Sequence, residues 1–258
     1  MPQTSNLPDL RQRVVLITGA GSGLGQASAR SLAAAGATTV LLGRKTHALE
    51  ATYDAIVEAG GPQPSIVPFD LARADETGFE RIAEGIRDQL GRLDGIVHAA
   101  AQFRTLMPMA QQDLDTWHTL LRVNLIAPAL LTRACDPLLQ AAPAATVVFV
   151  GDSHGAHPAA FWGAYGVAKA GLMALAQSWD DEWAHRGTHR AHAVIPGPMR
   201  TAIRLKSNSA GDLLAPGSEL PEPEALAPGI TALFGRQEGP RPPVVVELQP
   251  EPPHFTTD

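Results

Sequence analysis

A tyrosine and a lysine four residues apart are the side chains in this sequence best suited to acid–base chemistry. Tyr165 and Lys169 enclose the residues Gly-Val-Ala. On a helix, positions four apart share one face, so the phenol and the ammonium can act together. The ammonium stabilises phenolate and lowers the phenol's pKa from about 10 toward the working range. Such a tyrosine exchanges a proton with a carbonyl or a hydroxyl group. The alternative is a chance pair on a helix, and the surrounding fold decides between the two.

A glycine-rich segment near the N-terminus predicts a phosphate-binding turn. Residues 18–25 read Thr-Gly-Ala-Gly-Ser-Gly-Leu-Gly and directly follow an apolar run at 14–17. At a strand-to-helix turn, glycines let backbone N–H groups approach a phosphate, and the helix dipole favours its charge. A purely structural turn is the alternative. The residues expected to bind the cofactor here are Gly19, Ser22, Gly23, Leu24 and Gly25.

The end of the second predicted strand indicates which dinucleotide binds. An acidic residue there would bind the ribose hydroxyls and repel a 2′-phosphate. This chain has Gly43 at that place, followed by Arg44 and Lys45. Because a guanidinium can grip a phosphate with two hydrogen bonds, we predict NADP(H) in preference to NAD(H). A solvated basic turn is the alternative, and the missing carboxylate argues against a methyltransferase.

The elements that must position these residues alternate along the chain. Strands are predicted at 14–17, 38–42, 66–69, 95–98, 146–150 and 191–195, and helices at 24–35, 46–59, 75–91, 112–140 and 163–186. This alternation predicts an α/β fold with a doubly wound parallel β-sheet (a Rossmann fold) in a single domain spanning residues 1–258. A mobile loop is expected at about 206–228. A Pro-rich tail is expected at about 239–258, with a final strand near 244–246.

The Thr-Gly-x-x-x-Gly-x-Gly and Tyr-x-x-x-Lys patterns together resemble the short-chain dehydrogenase/reductase family, classical type. The resemblance covers residues 13–246 and is closest to the bacterial YciK-like oxidoreductases. It implies an enzyme that interconverts a carbonyl and an alcohol on a moderately hydrophobic substrate. Tyr165 would be the acid/base, Lys169 its tuner, and Asn124 the helix asparagine of a proton relay. The further cofactor contacts that it implies, besides Tyr165 and Lys169, are Asp70, Leu71, Ala99, Pro196, Gly197, Met199 and Thr201. For Asp70, a cap of the following helix is the alternative.

Two positions depart from the family pattern. The family usually has a serine thirteen residues before the tyrosine, where this chain has Asp152, with Ser153 next. A carboxylate there would raise the pKa of Tyr165. We therefore favour a one-residue shift in which Ser153 donates to the substrate oxygen, over an altered activation by Asp152. The second departure is the stretch from His98 to Ala101, which replaces Asn-Asn-Ala-Gly.

Composition excludes several other classes of function. Lys plus Arg number 20 and Asp plus Glu 26, a net charge of −6, so nucleic acid is not an expected partner. No apolar run reaches the roughly 20 residues of a membrane span. Cys135 is the only cysteine, which excludes an internal disulfide and a Cys-based metal cage. We predict no metal site, with His154 and His157 in a loop or lining the substrate site, and a cytoplasmic location.

The resemblance also implies a homodimer or homotetramer, formed through the two long helices around Asn124 and Tyr165. The rival function is a non-catalytic nucleotide-binding or redox-responsive partner-binding protein on the same fold. Asp152 and the alanines after His98 favour it, and the intact Tyr165–Lys169 pair argues against it.

Overall fold

Parallel strands form the centre of the molecule. The computed structural model describes residues 7–207, 220–235 and 241–249, and within these ranges there are seven strands in one sheet. They are β1 (Val14–Thr18), β2 (Thr38–Gly43), β3 (Ser65–Pro68), β4 (Gly95–His98), β5 (Ala145–Val150), β6 (His189–Pro196) and β7 (Val245–Leu248). Their order is β3-β2-β1-β4-β5-β6-β7, with every neighbouring pair parallel. The predicted doubly wound sheet is confirmed.

Helices cover both faces of this sheet. In the described ranges the α-helices are α1 (Gly23–Ala34), α2 (Thr46–Glu58), α3 (Glu76–Leu90), α4 (Leu114–Leu121), α5 (Ala127–Ala141), α6 (Ser153–Ala156), α7 (Gly163–Glu182), α8 (Ala202–Ser207) and α9 (Ala227–Ala232). Short 3₁₀ turns lie at Met109–Gln111, Ala184–Arg186 and Pro223–Ala225. Strands β1, β4 and β5 are buried along their whole length, because helices pack on both sides of them. The edge strands β3 and β7 are partly exposed.

Two apolar layers hold the helices on the sheet. Phe79, Phe149 and Leu172 belong to the layer on one face, and Leu32 and Phe234 to the layer on the other. Strands β1 and β4 lie side by side, and the chain winds away from them in opposite directions. This is the switch point at which doubly wound sheets bind ligands, beyond the carboxyl ends of the strands.

The structure departs from the predicted helices at several places, and α8 and α9 are among the helices that were not predicted. The helix predicted at 112–140 is α4 and α5 joined by a π-helical turn at Arg122–Ile126. The helix predicted at 163–186 ends at Glu182. The short α6 lies in a segment for which no helix was predicted.

The loop predicted at 206–228 falls largely on residues 208–219, which lie outside the described residues. Its described part includes the 3₁₀ turn at Pro223–Ala225. In the predicted Pro-rich tail, residues 241–249 are described, and the expected last strand is present as β7.

The described ranges contain neither a membrane-spanning helix nor a cluster of metal-binding side chains. No helix there is long and apolar enough to cross a bilayer. No group of three or more His, Cys, Asp or Glu side chains there is arranged to hold a metal ion.

Candidate active site

The glycine-rich segment forms a tight turn between β1 and α1. Gly19 has φ +70° and Gly23 has φ +53°, a left-handed region that glycine enters without strain. Ser22 precedes the helix in extended conformation and its side chain makes no capping hydrogen bond. The amides of Gly23, Leu24 and Gly25 therefore have no acceptor within the helix. A helix N-terminus of this kind attracts a phosphate.

Close packing fixes this turn against its neighbours. A Cβ on Gly25 would lie 2.4 Å from the carbonyl oxygen of Gly19, and a Cβ on Gly19 would lie 2.9 Å from the backbone of Ala100. The Ala100 amide donates to the Thr18 hydroxyl at 3.1 Å. The segment after β4, which includes Ala99, is thus held beside the turn. Glycine is required at positions 19 and 25 because backbone stands where a side chain would be.

The two basic residues after β2 are exposed at the same edge of the sheet. Arg44 and Lys45 have no hydrogen-bonded or ion-paired side chain within the described part of the chain. The Phe69 amide donates to the Gly43 carbonyl at 2.8 Å, which brings the end of β3 alongside. Free guanidinium and ammonium groups at this place fit a phosphate on the adenosine ribose.

Asp70 lies just beyond β3 and is not a helix cap. Its carboxylate accepts from the Ala72 amide at 3.1 Å, and Arg73 lies 3.8 Å away. The cap of α3 is Asp75, which accepts from Gly78. The capping alternative for Asp70 is therefore wrong. Leu71 is buried in the apolar layer.

Tyr165 and Lys169 lie in the first turns of α7, both buried. The ring of Phe103 packs edge-on against the Tyr165 ring, with 5.3 Å between their centres. The Lys169 ammonium donates to the Val150 carbonyl at 2.7 Å and lies 5.7 Å from the centre of the tyrosine ring. The structure thus places the pair on one helix face beside the end of β5.

The residue next to the phenol is Asp152. The Tyr165 hydroxyl donates to Asp152 Oδ2 at 3.2 Å. The predicted one-residue shift that would bring Ser153 to the phenol does not occur. Asp152 caps the short α6 in extended conformation, so Ser153 begins that helix, with its exposed hydroxyl 3.5 Å from Asp152.

Burial and this carboxylate set the ionisation of the pair. The pKa of Tyr165 lies well above its usual range, because burial and then the charge of Asp152 disfavour phenolate. The expected lowering of this pKa by Lys169 is therefore wrong. Burial lowers the pKa of Lys169 to about 8, against the opposing attraction of Asp152. The lysine remains an ammonium at neutral pH.

Asn124 lies in the π-helical turn, buried at the end of β4. Its amide oxygen accepts from the Gln102 amide at 2.9 Å, and its amide nitrogen donates to the Gln102 carbonyl at 2.8 Å. One π turn within a long helix often marks a functional site. Here the turn brings an amide to the backbone that follows β4.

His98 replaces the first asparagine of the family pattern and is a packed core residue. Its ring stacks on Phe149, and its Nε2 lies 2.8 Å from the Thr132 hydroxyl. Burial lowers its pKa to about 3, so it is neutral at physiological pH. The histidine thus bridges β4 and α5.

A cavity of 620 Å³ opens beyond β5 and β6. The predicted residues that line it are Ser153, Pro196, Gly197, Met199 and Thr201. The Thr201 methyl also lies 3.5 Å from the position of a Cβ on Gly23. The cavity therefore adjoins the glycine turn.

His154 lines the cavity, which was one of the two places predicted for it, but its contact with Asp152 was not predicted from the sequence. Its Nδ1 lies 2.8 Å from Asp152 Oδ1, and its ring stacks on Trp162 with centres 3.6 Å apart. Both rings line the cavity. The spacing of His154 two residues after Asp152 was the available signal.

Comparison with known proteins identifies the family. The model of the short chain dehydrogenases matches residues 13–211. The chain belongs to the short-chain dehydrogenase family. Its members named below are oxidoreductases or dehydrogenases, and this chain is an oxidoreductase of the same family.

Bacterial relatives of the short-chain dehydrogenase family resemble the chain along most of its length. The uncharacterized oxidoreductase YciK of Escherichia coli K12 is 34% identical over 198 residues, which is 77% of this chain and 78% of YciK. A Shigella flexneri short chain dehydrogenase complexed with NADP has a TM-score of 0.82 at 31% identity, covering 90% of this chain and 94% of that one. One from Escherichia coli CFT073 complexed with NADPH has a TM-score of 0.82 at 32% identity, covering 89% and 93%. The predicted family resemblance is confirmed.

Proposed function

We propose that this short-chain dehydrogenase is an NADP(H)-dependent oxidoreductase that interconverts a carbonyl and an alcohol. The observation that carries the proposal is the buried Tyr165–Lys169 pair, which lies on the α7 face beside the end of β5. A proton-exchanging phenol next to a cavity that adjoins a phosphate-binding turn fits hydride transfer with a coupled proton.

The residues around the glycine turn fit NADP(H). The amides of Gly23, Leu24 and Gly25 would hold its pyrophosphate, since they lack helical acceptors. Arg44 would grip the 2′-phosphate, with Lys45 beside it. When bound, the nicotinamide supplies or accepts the hydride. That related structures were obtained with NADP and NADPH supports this preference over NAD(H).

The remaining predicted contacts belong to the same proposal. Those beyond the glycine turn are Asp70 and Leu71 near the adenine, Ala99 near the ribose, and Pro196, Gly197, Met199 and Thr201 near the nicotinamide. The position of Thr201 beside Gly23 supports it, because one bound molecule could touch both.

The chain's own residues would handle the proton. The phenolic oxygen of Tyr165 would exchange a proton with the substrate oxygen. Lys169 would supply positive charge, and Asn124 would hold the segment after β4 in place.

The cavity walls favour a substrate with an apolar body. Leu106, Trp162, Met199, Ile203 and Leu220 contribute apolar surface. Polar and charged groups on the same lining come from Asp152, His154 and Arg204. We therefore infer a moderately hydrophobic molecule that carries one polar reacting group.

NADPH oxidation over a panel of ketones and aldehydes, with cyclohexanone, camphor, menthone and benzaldehyde as first probes, tests this function. The chain has two tyrosines, Tyr53 and Tyr165, which offer a matched pair of variants. Tyr165→Phe should lose roughly 10²- to 10⁴-fold in turnover, whereas Tyr53→Phe on α2 should retain it. Tight NADPH binding with no turnover of any carbonyl would overturn the proposal and favour a binding protein.

A homodimer or homotetramer completes the proposal. Ile126 on the π turn and Val167 on α7 are 40% and 46% exposed, although both are apolar. Such side chains on the two long helices suit burial against a second copy. Light scattering after gel filtration measures the mass, and a monomer would contradict the expectation.

A further inference from the structure

The carboxylate of Asp152 accepts four hydrogen bonds at the cavity, one of them from the Ser153 hydroxyl, 3.5 Å from Oδ1. Its Oδ2 accepts from the Tyr165 hydroxyl at 3.2 Å. Its Oδ1 accepts from the His154 amide at 2.9 Å and lies 2.8 Å from His154 Nδ1. The side chain is 26% exposed, so it lies at the boundary between the buried phenol and the cavity.

The direction of the phenol's hydrogen bond determines what the phenol can do. Because Tyr165 donates its proton to Asp152, the lone pairs of its oxygen are left to accept a proton from a substrate. Lys169 is already donating to Val150, and both polar atoms of Asn124 are bonded to Gln102. Within the described part of the chain, Asp152 is thus the acceptor of the phenolic proton.

We propose that Asp152 is the base that works through Tyr165, a role that rests on the proposed oxidoreductase function. In alcohol oxidation, the substrate hydroxyl proton moves to the Tyr165 oxygen while the proton of Tyr165 moves to Asp152 Oδ2. The O–H electron pair becomes the second bond of the carbonyl. The hydride leaves carbon with its electron pair and reduces NADP⁺. In carbonyl reduction the protonated carboxyl returns its proton by the same route. Phenolate need not accumulate, which fits a tyrosine next to a negative charge.

His154 is the positioning residue for this carboxylate. Its ring is held flat against Trp162, with 15° between the planes, while its Nδ1 engages Oδ1. Oδ2 is thereby left for the phenol. Lys169 on α7 attracts this carboxylate. Arg204 on α8 contributes a further charge to the lining of the same cavity.

The rate of alcohol oxidation by Asp152→Asn tests the proposal, because a purely inhibitory role of Asp152 predicts a change in the opposite direction. If Asp152 only disfavours phenolate, its removal should speed oxidation at neutral pH. If it is the base, kcat with NADP⁺ and a secondary alcohol, cyclohexanol or borneol first, should fall about 10²-fold or more. The kcat of Asp152→Ser, which places a hydroxyl at this position and removes the carboxylate, should fall by a similar factor. Unchanged or faster oxidation by both folded variants would overturn the proposal.

His154→Gln tests the positioning role against His157→Gln, an exposed histidine three residues further on. The first variant should lower kcat about tenfold and, in a Tyr53→Phe background, move the phenolate titration of Tyr165 to lower pH, because Asp152 is no longer held against the phenol. The second should leave both unchanged. A lower kcat with an unaltered Tyr165 titration would reduce His154 to a structural residue and contradict this role.

A substrate-free measurement separates this proposal from the proposed function. In a Tyr53→Phe background, Tyr165 is the only tyrosine, so ultraviolet absorption follows its ionisation alone. Replacing Asp152 with Asn should move the phenolate titration to lower pH. If the shift appears and no carbonyl or alcohol reacts, the proposed function fails while the Tyr165–Asp152 bond stands. If the titration does not move, the bond is refuted whatever the activity.

Discussion

Replacing Gly25 with alanine should loosen the cofactor turn from within. A Cβ at this position would lie 2.4 Å from the Gly19 oxygen and 2.8 Å from its carbonyl carbon, closer than the 3.0 Å that real Cβ atoms respect. The carbonyl must therefore retreat by roughly 0.6 Å. Retreat on its far side is blocked, because Gly19 itself lies against the Ala100 backbone.

Two opposing effects determine how much Gly25→Ala changes the free energy of unfolding. Alanine in a helix is favoured over glycine by about 1 kcal/mol, whereas overpacking costs about 1–3 kcal/mol. The net loss in free energy of unfolding should be about 1 kcal/mol. Cofactor binding should suffer more, because one amide–phosphate hydrogen bond is worth about 1.5–3 kcal/mol. We expect the Kd for NADPH to rise roughly 10- to 100-fold.

Gly85 supplies the matched control. It also lies inside a helix, in α3, but a Cβ there meets nothing within 4 Å. Gly85→Ala should therefore raise the free energy of unfolding by up to about 1 kcal/mol and leave NADPH binding unchanged. Calorimetric titration with NADPH and thermal unfolding of both variants measure these quantities. Wild-type affinity in Gly25→Ala, or equal damage in Gly85→Ala, would refute the reasoning.

Three further predictions concern single side chains. Arg44→Ala should raise the Kd for NADPH about tenfold or more and leave that for NADH unchanged, since only the former carries a 2′-phosphate; equal losses for both would remove Arg44 from the site. His98 binds no proton above about pH 3 when folded but titrates near 6.5 when unfolded, so stability should fall by about 1.4 kcal/mol per pH unit as pH drops through this window. In urea unfolding, the free energy of unfolding of His98→Asn should depend less steeply on pH than that of the wild type, by that amount. An equal dependence on pH in both proteins would contradict the buried neutral ring. The pKa of Lys169 is about 8 in the folded protein and 10.5 in the unfolded chain. As the pH rises between these values, the free energy of unfolding of the wild type should increase by about 1.4 kcal/mol per pH unit relative to that of Lys169→Met. A constant difference between the two proteins would show that the ammonium is not desolvated.

Much of the fold was predictable, because the pattern that specifies it is local. Short β-branched runs between helix-like segments predict a covered parallel sheet. The glycine turn was equally accessible, since Gly19 and Gly25 are fixed by backbone contacts that no other residue permits. Tyr165 and Lys169 needed only the four-residue period of a helix.

What the sequence did not reveal depends on contacts between distant segments. Whether Asp152 or Ser153 meets the phenol is decided by where α6 begins, and a capping aspartate sets that beginning. The direction in which the pKa of Tyr165 shifts depends on burial, and the spacing of residues in the sequence does not show burial. The π turn at Asn124 interrupts the helix that was predicted as continuous. In this turn the Asn124 side chain is hydrogen-bonded to the backbone of Gln102, a contact between distant segments.

That π turn carries a consequence for how this chain tolerates insertions and deletions. A five-residue turn contains one residue more than α-helical geometry requires. Deleting one residue within Arg122–Ile126 would remove this surplus and give a continuous α-helix from α4 into α5. The helix would become more regular, and the amide of Asn124 would leave Gln102. In this segment the length of the chain is itself a determinant of the site, and a variant with a more regular helix would be a worse enzyme.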